Sequence, residues 1–230
     1  MRIVILTGAG ISAESGVPVF RAADGLWEGH DVREVATPEG FARNPVLVQR
    51  FYDARRAHLG NVVPNAAHLA LAELEAAQGP GFLLVTQNVD DLHERAGSRR
   101  LVHMHGELKR ARCTGCGAAP RWAAALADAP ACPACGARGQ LRPDIVWFGE
   151  MPYEMARIEA ALMTCDLFVS VGTSGAVYPA AGFVDIARAA GARTLELNLD
   201  ESAVSGVFDE SRRGPASQLV PAFVAEILRA

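Results

Sequence analysis

The dominant pattern along the chain is a short, mainly apolar run followed by a polar loop, and it occurs four times. RIVIL (2–6) runs into TGAGISAESG, and GFLLVTQNVDD (81–91), DLFVSVGTS (166–174) and TLELNLD (194–200) repeat the arrangement. Apolar runs of this length without alternation predict strands buried on both faces. Helix-like stretches lie between them at Ala66–Gln78, Tyr153–Met163, Ala180–Ala190 and Pro221–Leu228. Strands alternating with helices predict an α/β protein with a doubly wound, mostly parallel sheet covered on both faces. Ligands of such sheets bind beyond the carboxyl ends of the strands. Every polar loop just quoted sits at such an end.

Two segments break the alternation. Residues 28–65 are helical in pattern with proline punctuation, and residues 109–140 contain two CxxC pairs around an alanine-rich stretch. Both read as insertions forming a smaller lobe, which leaves 1–27, 66–108 and 141–230 for the large domain. Composition changes this picture little. Of 230 residues half are apolar and 21% charged, as expected of a globular chain. The net charge of −4 gives no electrostatic reason to expect nucleic acid or an anionic membrane as partner. No apolar span approaches about 18 residues, and MRIVILTGAG lacks the features of a signal peptide. A cytoplasmic protein is therefore expected. The chain starts almost at its first strand and stops soon after its last helix, so a minimal, monomeric prokaryotic-type protein is expected.

Cysteine spacing does change the picture. Cys113, Cys116, Cys132 and Cys135 form two CxxC pairs fifteen residues apart, a zinc spacing in a cytosolic chain. Four thiolates complete a tetrahedral zinc shell and leave no position for water or substrate, so the site is read as structural. A nucleic-acid-binding zinc ribbon would need a basic, aromatic-bearing loop, and TGCGAAPRWAAALADAPACP is not one. The fifth cysteine, Cys165, precedes an apolar run and is read as a core residue. GAGISA (8–13) fits GxGxxG/A after a strand, where glycines let the backbone approach a pyrophosphate at a helix N-terminus. No second strand ending in an acidic residue follows about 20 positions later, so a ribose contact must come from elsewhere, with NLD (198–200) the candidate. In LVHMHGEL, His103 and His105 would face the same side of a strand, so periodicity cannot choose between them.

GAGISAESGVPVFR, TQNVDDLH, the HG of HMHGEL, the two CxxC pairs, FGE, GTS and NLD stand in the order found in sirtuins, and the chain resembles that family over essentially its whole length. The resemblance implies a Rossmann-like NAD-binding domain, with a small lobe made of the helical insertion and the zinc module. It also implies NAD as co-substrate and acylated-lysine proteins or peptides as partners. In sirtuins the acyl oxygen attacks the ribose C1′ of NAD as nicotinamide leaves. A histidine then activates a ribose hydroxyl against the alkylimidate, and free lysine and O-acyl-ADP-ribose are released. The resemblance places that base at His105; neutral imidazole suits the task because its usual pKa, about 6.5, lies near working pH. His103 is then a structural neighbour.

By the same resemblance Gln87, Asn88, Val89 and Asp90 line the nicotinamide and ribose pocket. Gln87 would contact ribose, Asn88 would help place the reacting groups, and Asp90 would accept from the carboxamide. Gly8, Ala9, Gly10, Ile11, Ser12, Ala13 and Glu14 would hold the cofactor from the first loop, with Phe20, Arg21 and Trp27 beside it. Gly172, Thr173 and Ser174 would approach from a third strand end; Asn198, Leu199, Asp200 and Ala216 would hold the adenosine side. Val146 and Trp147, with Phe148, Gly149 and Glu150, resemble the segment to which substrate peptide adds as a strand, with Val177 to Pro179 opposite.

Tyr52 and Arg55, three apart in FYDARR, would share one helix face. This spacing, with the small Ala36, resembles the sirtuin branch that removes negatively charged acyl groups. An arginine fork pairs with a distal carboxylate and a phenol adds a third hydrogen bond. Desuccinylation and demalonylation with some deacetylation are therefore expected. Deacetylation without acidic preference and mono-ADP-ribosyl transfer are the alternatives, since the same NAD cleavage serves both. An oxidoreductase gives QNVD and HG no role.

Overall fold

Ile3–Thr7 (β1) is buried at all five positions because it is a central strand with a layer of helices on each face. A computed structural model describes residues 1–19, 26–27 and 29–229. In it β1 pairs on one side with Phe82–Thr86 (β4) and on the other with Leu167–Val171 (β8). The full order is β10-β9-β8-β1-β4-β5, with β5 at Leu101–His103, β9 at Arg193–Asn198 and β10 at Glu210–Arg213. Every pairing in this sheet is parallel. From β1 the chain builds outward through β4 and β5, then returns to build the other half from β8, so the switch point lies between β1 and β8. That is where a doubly wound sheet opens a crevice.

Alternate residues of each strand serve different cores. Ile3 and Ile5 pack with Leu71 and Leu74 of Ala66–Gln78 (α5) and with Phe223 and Val224 of Ala216–Arg229 (α9). Val4 and Leu6 pack on the opposite face with Ile158 and Leu162 of Met155–Leu162 (α7), and with Phe183 and Val184 of Phe183–Ala189 (α8). Apolar side chains on both faces explain the unbroken apolar runs. The α5 boundaries match those expected. Asn65 caps its start, accepting from Ala67 N, while the His68 ring accepts from the Asn65 N–H. The last helix differs. It begins at Ala216, not at Pro221, because Glu14 reaches across from the first loop to accept from both the backbone N–H and the hydroxyl of Ser217. That cap satisfies donors of the first turn, and Pro221 is tolerated within the helix.

The 28–65 segment folds into Val32–Val35 (α2), Pro38–Arg43 (α3) and Pro45–His58 (α4), started by side-chain caps from Asp31, Thr37 and Asn44. Their buried face forms a separate cluster that includes Ala36, Phe51, Tyr52, Leu108 and Trp147. The expected strand through His103 and His105 is shorter than that: β5 ends at His103, and Gly106–Cys113 (β6) begins after a turn. Gly106 has φ +83°, and a Cβ there would meet the Asp144 carbonyl oxygen at 2.0 Å, so this turn requires glycine. β6 pairs antiparallel with Leu141–Ile145 (β7) in a two-stranded ribbon separate from the main sheet. Asp53 on α4 accepts from Leu126 N and Ala127 N, and Gln49 donates to the Leu141 carbonyl, tying the helices to the cysteine segment. Among the described residues no helix is long and apolar enough to cross a membrane.

Two leucines two residues apart on α5 test this layering. Leu71 is fully buried and Leu69 is 55% exposed. Leu71→Ala is expected to lower unfolding free energy by about 2–5 kcal/mol in urea denaturation, and Leu69→Ala to change it by no more than about 0.5 kcal/mol.

Candidate active site

The ends of β1, β4, β8 and β9 open into one cleft of about 1310 Å³, whose far wall comes from α4 and the segment after β7. This exceeds the roughly 300–1,000 Å³ of ordinary small-molecule sites.

Most of the residues singled out from the sequence border this cleft. From the first loop come Gly8, Ala9, Gly10, Ala13 and Glu14, with Trp27 nearby; from the loop after β4 come Gln87, Asn88, Val89 and Asp90. Gly172, Thr173 and Ser174 follow β8, Asn198, Leu199 and Asp200 close β9, and Ala216 opens α9. His105, Ala36, Tyr52, Arg55, Val146, Trp147, Phe148, Gly149, Glu150 and Val177 to Pro179 also border it. Two do not border it. Ile11 is fully buried in the core beside α5, and Ser12 is fully buried beneath the loop. Phe20 and Arg21 lie outside the described residues.

The glycines answer first to backbone crowding. Gly10 N donates to the Gly172 carbonyl at 2.9 Å, and Gly8 N donates to the Val171 carbonyl at 3.0 Å. A Cβ on Gly10 would meet the Gly172 Cα at 2.7 Å, and one on Gly172 the Ile11 N at 2.5 Å. The two loops at the switch point therefore touch backbone to backbone. The helix expected after GAG is only Gly10–Ala13 (α1), one turn long.

Beneath the loop after β4 lies a polar network that sequence reading did not reveal. The Ser12 hydroxyl accepts from Asn88 Nδ2 and donates to Asp90 Oδ2, both at 3.0 Å, which orients two side chains that border the cleft. His68 Nε2 stands 3.4 Å from the same hydroxyl, and its ring packs 4.9 Å from that of His93, which meets Thr7 Oγ1 at 3.0 Å. Burial pushes His68 down to about 4 and His93 well below the usual histidine value, so both are neutral donors and acceptors. Burial raises the Asp90 carboxyl, against the pull of Leu92 N and the Ser12 hydroxyl. The one local signal for this network was Asn65 three residues before His68, an N-cap pair; the rest joins residues far apart in sequence.

The two imidazoles of HMH bond successive carbonyls of one loop but differ chemically. His105 Nδ1 lies 3.2 Å from the Gln87 carbonyl. A carbonyl only accepts, so Nδ1 carries the proton and Nε2 keeps its lone pair. Burial lowers the His105 pKa, outweighing the carbonyl, so the ring is neutral at pH 7. His103 instead uses both nitrogens: Nδ1 donates to the Asn88 carbonyl at 3.1 Å and Nε2 meets Glu94 Oε1 at 2.7 Å. Burial opposes its charge, but Glu94 and the carbonyl outweigh it and raise its pKa. A ring with both nitrogens committed as donors has no lone pair to offer.

Several expected contacts prove more committed than their position suggested. Asn198 Nδ2 donates to the Thr173 carbonyl at 2.7 Å, pinning the ends of β8 and β9 together. The Glu150 carboxylate pairs with Arg142 at 2.7 Å and accepts from Trp147 N, which holds its pKa down despite burial. The N–H groups of Val146, Trp147, Phe148 and Glu150 donate to His105, Glu150, Ala36 and Trp147 respectively. A peptide strand laid along this segment would therefore chiefly donate its own N–H groups to carbonyls of the segment.

The four cysteines converge as their spacing implied. Cys113 and Cys135 Sγ are 3.8 Å apart, as are Cys116 and Cys132 Sγ, and all four sulfurs lie within 4.8 Å of one another. Four thiolates around tetrahedral zinc at about 2.3 Å would stand about 3.8 Å apart, whereas a disulfide needs about 2.05 Å. The geometry fits one zinc ion held by Cys113, Cys116, Cys132 and Cys135, away from the cleft. Cys165 is buried, its thiol 3.4 Å from the Leu162 carbonyl, as a core residue.

The family model described as the Sir2 family matches residues 8–179. The NAD-dependent protein deacylase of Pasteurella multocida (strain Pm70) is 59% identical over 230 residues, covering 99% of this chain and 98% of that protein. A mutant Sir2 homologue in complex with 2′-O-acetyl-ADP-ribose superimposes with TM-score 0.89 at 40% identity, covering 99% of this chain and 92% of that one. Sir2 bound to acetylated peptide superimposes with TM-score 0.84 at 26% identity, covering 100% and 94%. The chain belongs to the Sir2 family.

Proposed function

We propose that this protein is an NAD-dependent protein-lysine deacylase that transfers the acyl group to ADP-ribose and releases nicotinamide. The observation that carries the reading is the His105 Nδ1 bond to the Gln87 carbonyl, which leaves a neutral Nε2 at the wall of the cleft. The similarity to a deacylase and to structures holding acetyl-ADP-ribose and acetylated peptide supports it. When bound, NAD supplies an activated ribose carbon whose nicotinamide can leave.

The chain's own residues then divide the work. His105 Nε2 takes the proton of a ribose hydroxyl, and Nδ1 keeps its proton on Gln87. Asn88 and Asp90, held by Ser12, position the nicotinamide ribose and carboxamide. Gly8, Gly10 and Gly172 bring backbone close to the phosphates, while Asn198, Leu199, Asp200 and Ala216 border the adenosine. Zinc holds the small lobe and takes no part in the reaction. The division into a sheet domain and a lobe of residues 28–65 and 109–140 belongs to this proposal; the separate apolar cluster of Ala36, Phe51, Tyr52 and Trp147 supports it. Five cysteines without a disulfide support a reducing, cytoplasmic setting, and a monomer is the simplest state for a cleft built from one chain.

For the acyl group we propose carboxylated chains, succinyl and malonyl, beside acetyl. Tyr52 and Arg55 border the cleft together, and Arg55 stacks on the Phe51 ring at 3.1 Å while Nη1 donates to the Phe51 carbonyl. This fixes a guanidinium at the wall where the far end of an acyl chain would lie.

Deacylation of one peptide with NAD tests the base: His105→Ala should lose about 10²–10⁴-fold in kcat with zinc content unchanged, whereas His103→Ala should lose less than about tenfold. The pH profile tests it independently. The neutral ring is the working form and burial lowers its pKa, so kcat/KM should fall only as pH drops through a value below 6.5, the usual histidine value. Were His103 the base, its raised pKa would put that limb above 6.5. Arg55→Met should cut the ratio of succinyl to acetyl kcat/KM about 10- to 100-fold, the scale of hydrogen bonds to a charged group; an unchanged ratio would remove the carboxylate role.

A further inference from the structure

One buried hydrogen bond at the cleft wall has a direction that chemistry dictates. Trp147 Nε1 lies 3.0 Å from the Tyr52 hydroxyl. An indole N–H only donates, so the Tyr52 oxygen must accept, and its own proton points elsewhere. Among the described residues that hydroxyl donates to none. Both residues lie in the cleft wall, Tyr52 fully buried and Trp147 2% exposed, and Arg55 stands one helical turn along α4 from Tyr52.

The indole is held more firmly than a wall residue requires. The Arg142 guanidinium lies 3.5 Å from its ring centroid, and the Phe41 ring packs at 5.2 Å. Its backbone N–H donates to Glu150 Oε2, and Glu150 in turn takes both Arg142 terminal nitrogens, at 2.7 and 2.9 Å. Arg142 Nη2 also donates to the Ile145 carbonyl at 2.7 Å. With its ring plane and backbone both fixed, Trp147 presents its N–H in one direction.

We propose that Trp147 is a positioning residue for acyl specificity, orienting the Tyr52 hydroxyl so that its proton is delivered to the distal carboxylate of an acyl chain paired with Arg55. A hydroxyl that accepts one hydrogen bond is polarised to donate a stronger one. Burial raises the Tyr52 pKa, so the phenol stays protonated and repels no carboxylate. Glu150, expected from the sequence to meet substrate directly, acts here through Arg142 and Trp147. The inference rests on the carboxylated-acyl reading above and adds a residue to it.

A double-mutant cycle separates the two. The kcat/KM ratio for one peptide bearing succinyl- or acetyl-lysine is measured for wild type, Tyr52→Phe, Trp147→Phe, the double variant and Arg55→Met. Trp147→Phe should lower the ratio about tenfold, chiefly through succinyl KM, and should change it less than twofold in the Tyr52→Phe background, where no hydroxyl remains to orient. An unchanged ratio in Trp147→Phe, or an equal fall in both backgrounds, overturns the positioning role while Arg55→Met and Tyr52→Phe keep the carboxylate reading intact. If those two variants leave the ratio untouched, the carboxylate reading fails and the proposal fails with it. Should Trp147→Phe not fold, the ¹⁵N resonance of the Trp147 indole decides. It should move further with succinyl-peptide than with acetyl-peptide, and equal shifts overturn the proposal.

Discussion

At the centre of the sheet the loops leaving β1 and β8 meet with no side chain between them. Gly10 N reaches the Gly172 carbonyl at 2.9 Å, and a single methyl group on Gly8, Gly10 or Gly172 would stand 2.5–2.8 Å from backbone atoms of the other loop. Because these strands flank the switch point, their contact sets how closely the two halves of the sheet approach. It also decides where the crevice opens. The loops after β4 and β9 are joined to the same point, Gln87 N through the Thr7 carbonyl and Asn198 through the Thr173 carbonyl. Four loops far apart in sequence thus share one rigid floor.

On that floor, position and proton state are decided by neighbours. Carbonyls of Gln87 and Asn88 hold two imidazoles in fixed orientation, and the single difference of Glu94 beside His103 makes one ring a paired donor while the other keeps a lone pair. Neutral His68 and His93 lie behind the floor with Ser12 between the Asn88 amide and the Asp90 carboxylate. A buried network of this kind is stable only when nearly every member is satisfied, which ties the side chains at the cleft to the core behind them. The far wall depends on a second assembly, Arg142, Glu150 and Trp147, which is braced against α4 through Tyr52. The cysteine segment holds that wall through Asp53 and Gln49 on α4.

How much of this was legible in the chain follows from the range of each interaction. Strands β1, β4 and β8 are legible within one or two residues, because continuous apolar runs are a local mark of a sheet covered on both faces; the equally buried β7, LRPDI, carries no such run. The α5 helix was read without error, because its cap, its apolar face and its terminal Gly79 are all local. The cysteine cluster was legible for the same reason, since ligand spacing is a property of the chain. The start of α9 was not, because its cap is Glu14, more than two hundred residues away. Nor was the end of β5, which depends on the glycine turn at 106 pressed against Asp144.

The α/β layering, the order of polar loops at strand ends, the four-cysteine cluster and the family are all legible in the chain, since each is carried by residue type at short spacing. Folding settles which imidazole keeps a lone pair and buries Ile11 and Ser12 away from the cleft. It also binds Glu150 to Arg142 and presses the Tyr52 hydroxyl into the acceptor role beside Trp147. Each of these depends on the direction of a hydrogen bond or the depth of burial among residues distant along the chain, and neither quantity exists until the chain has folded.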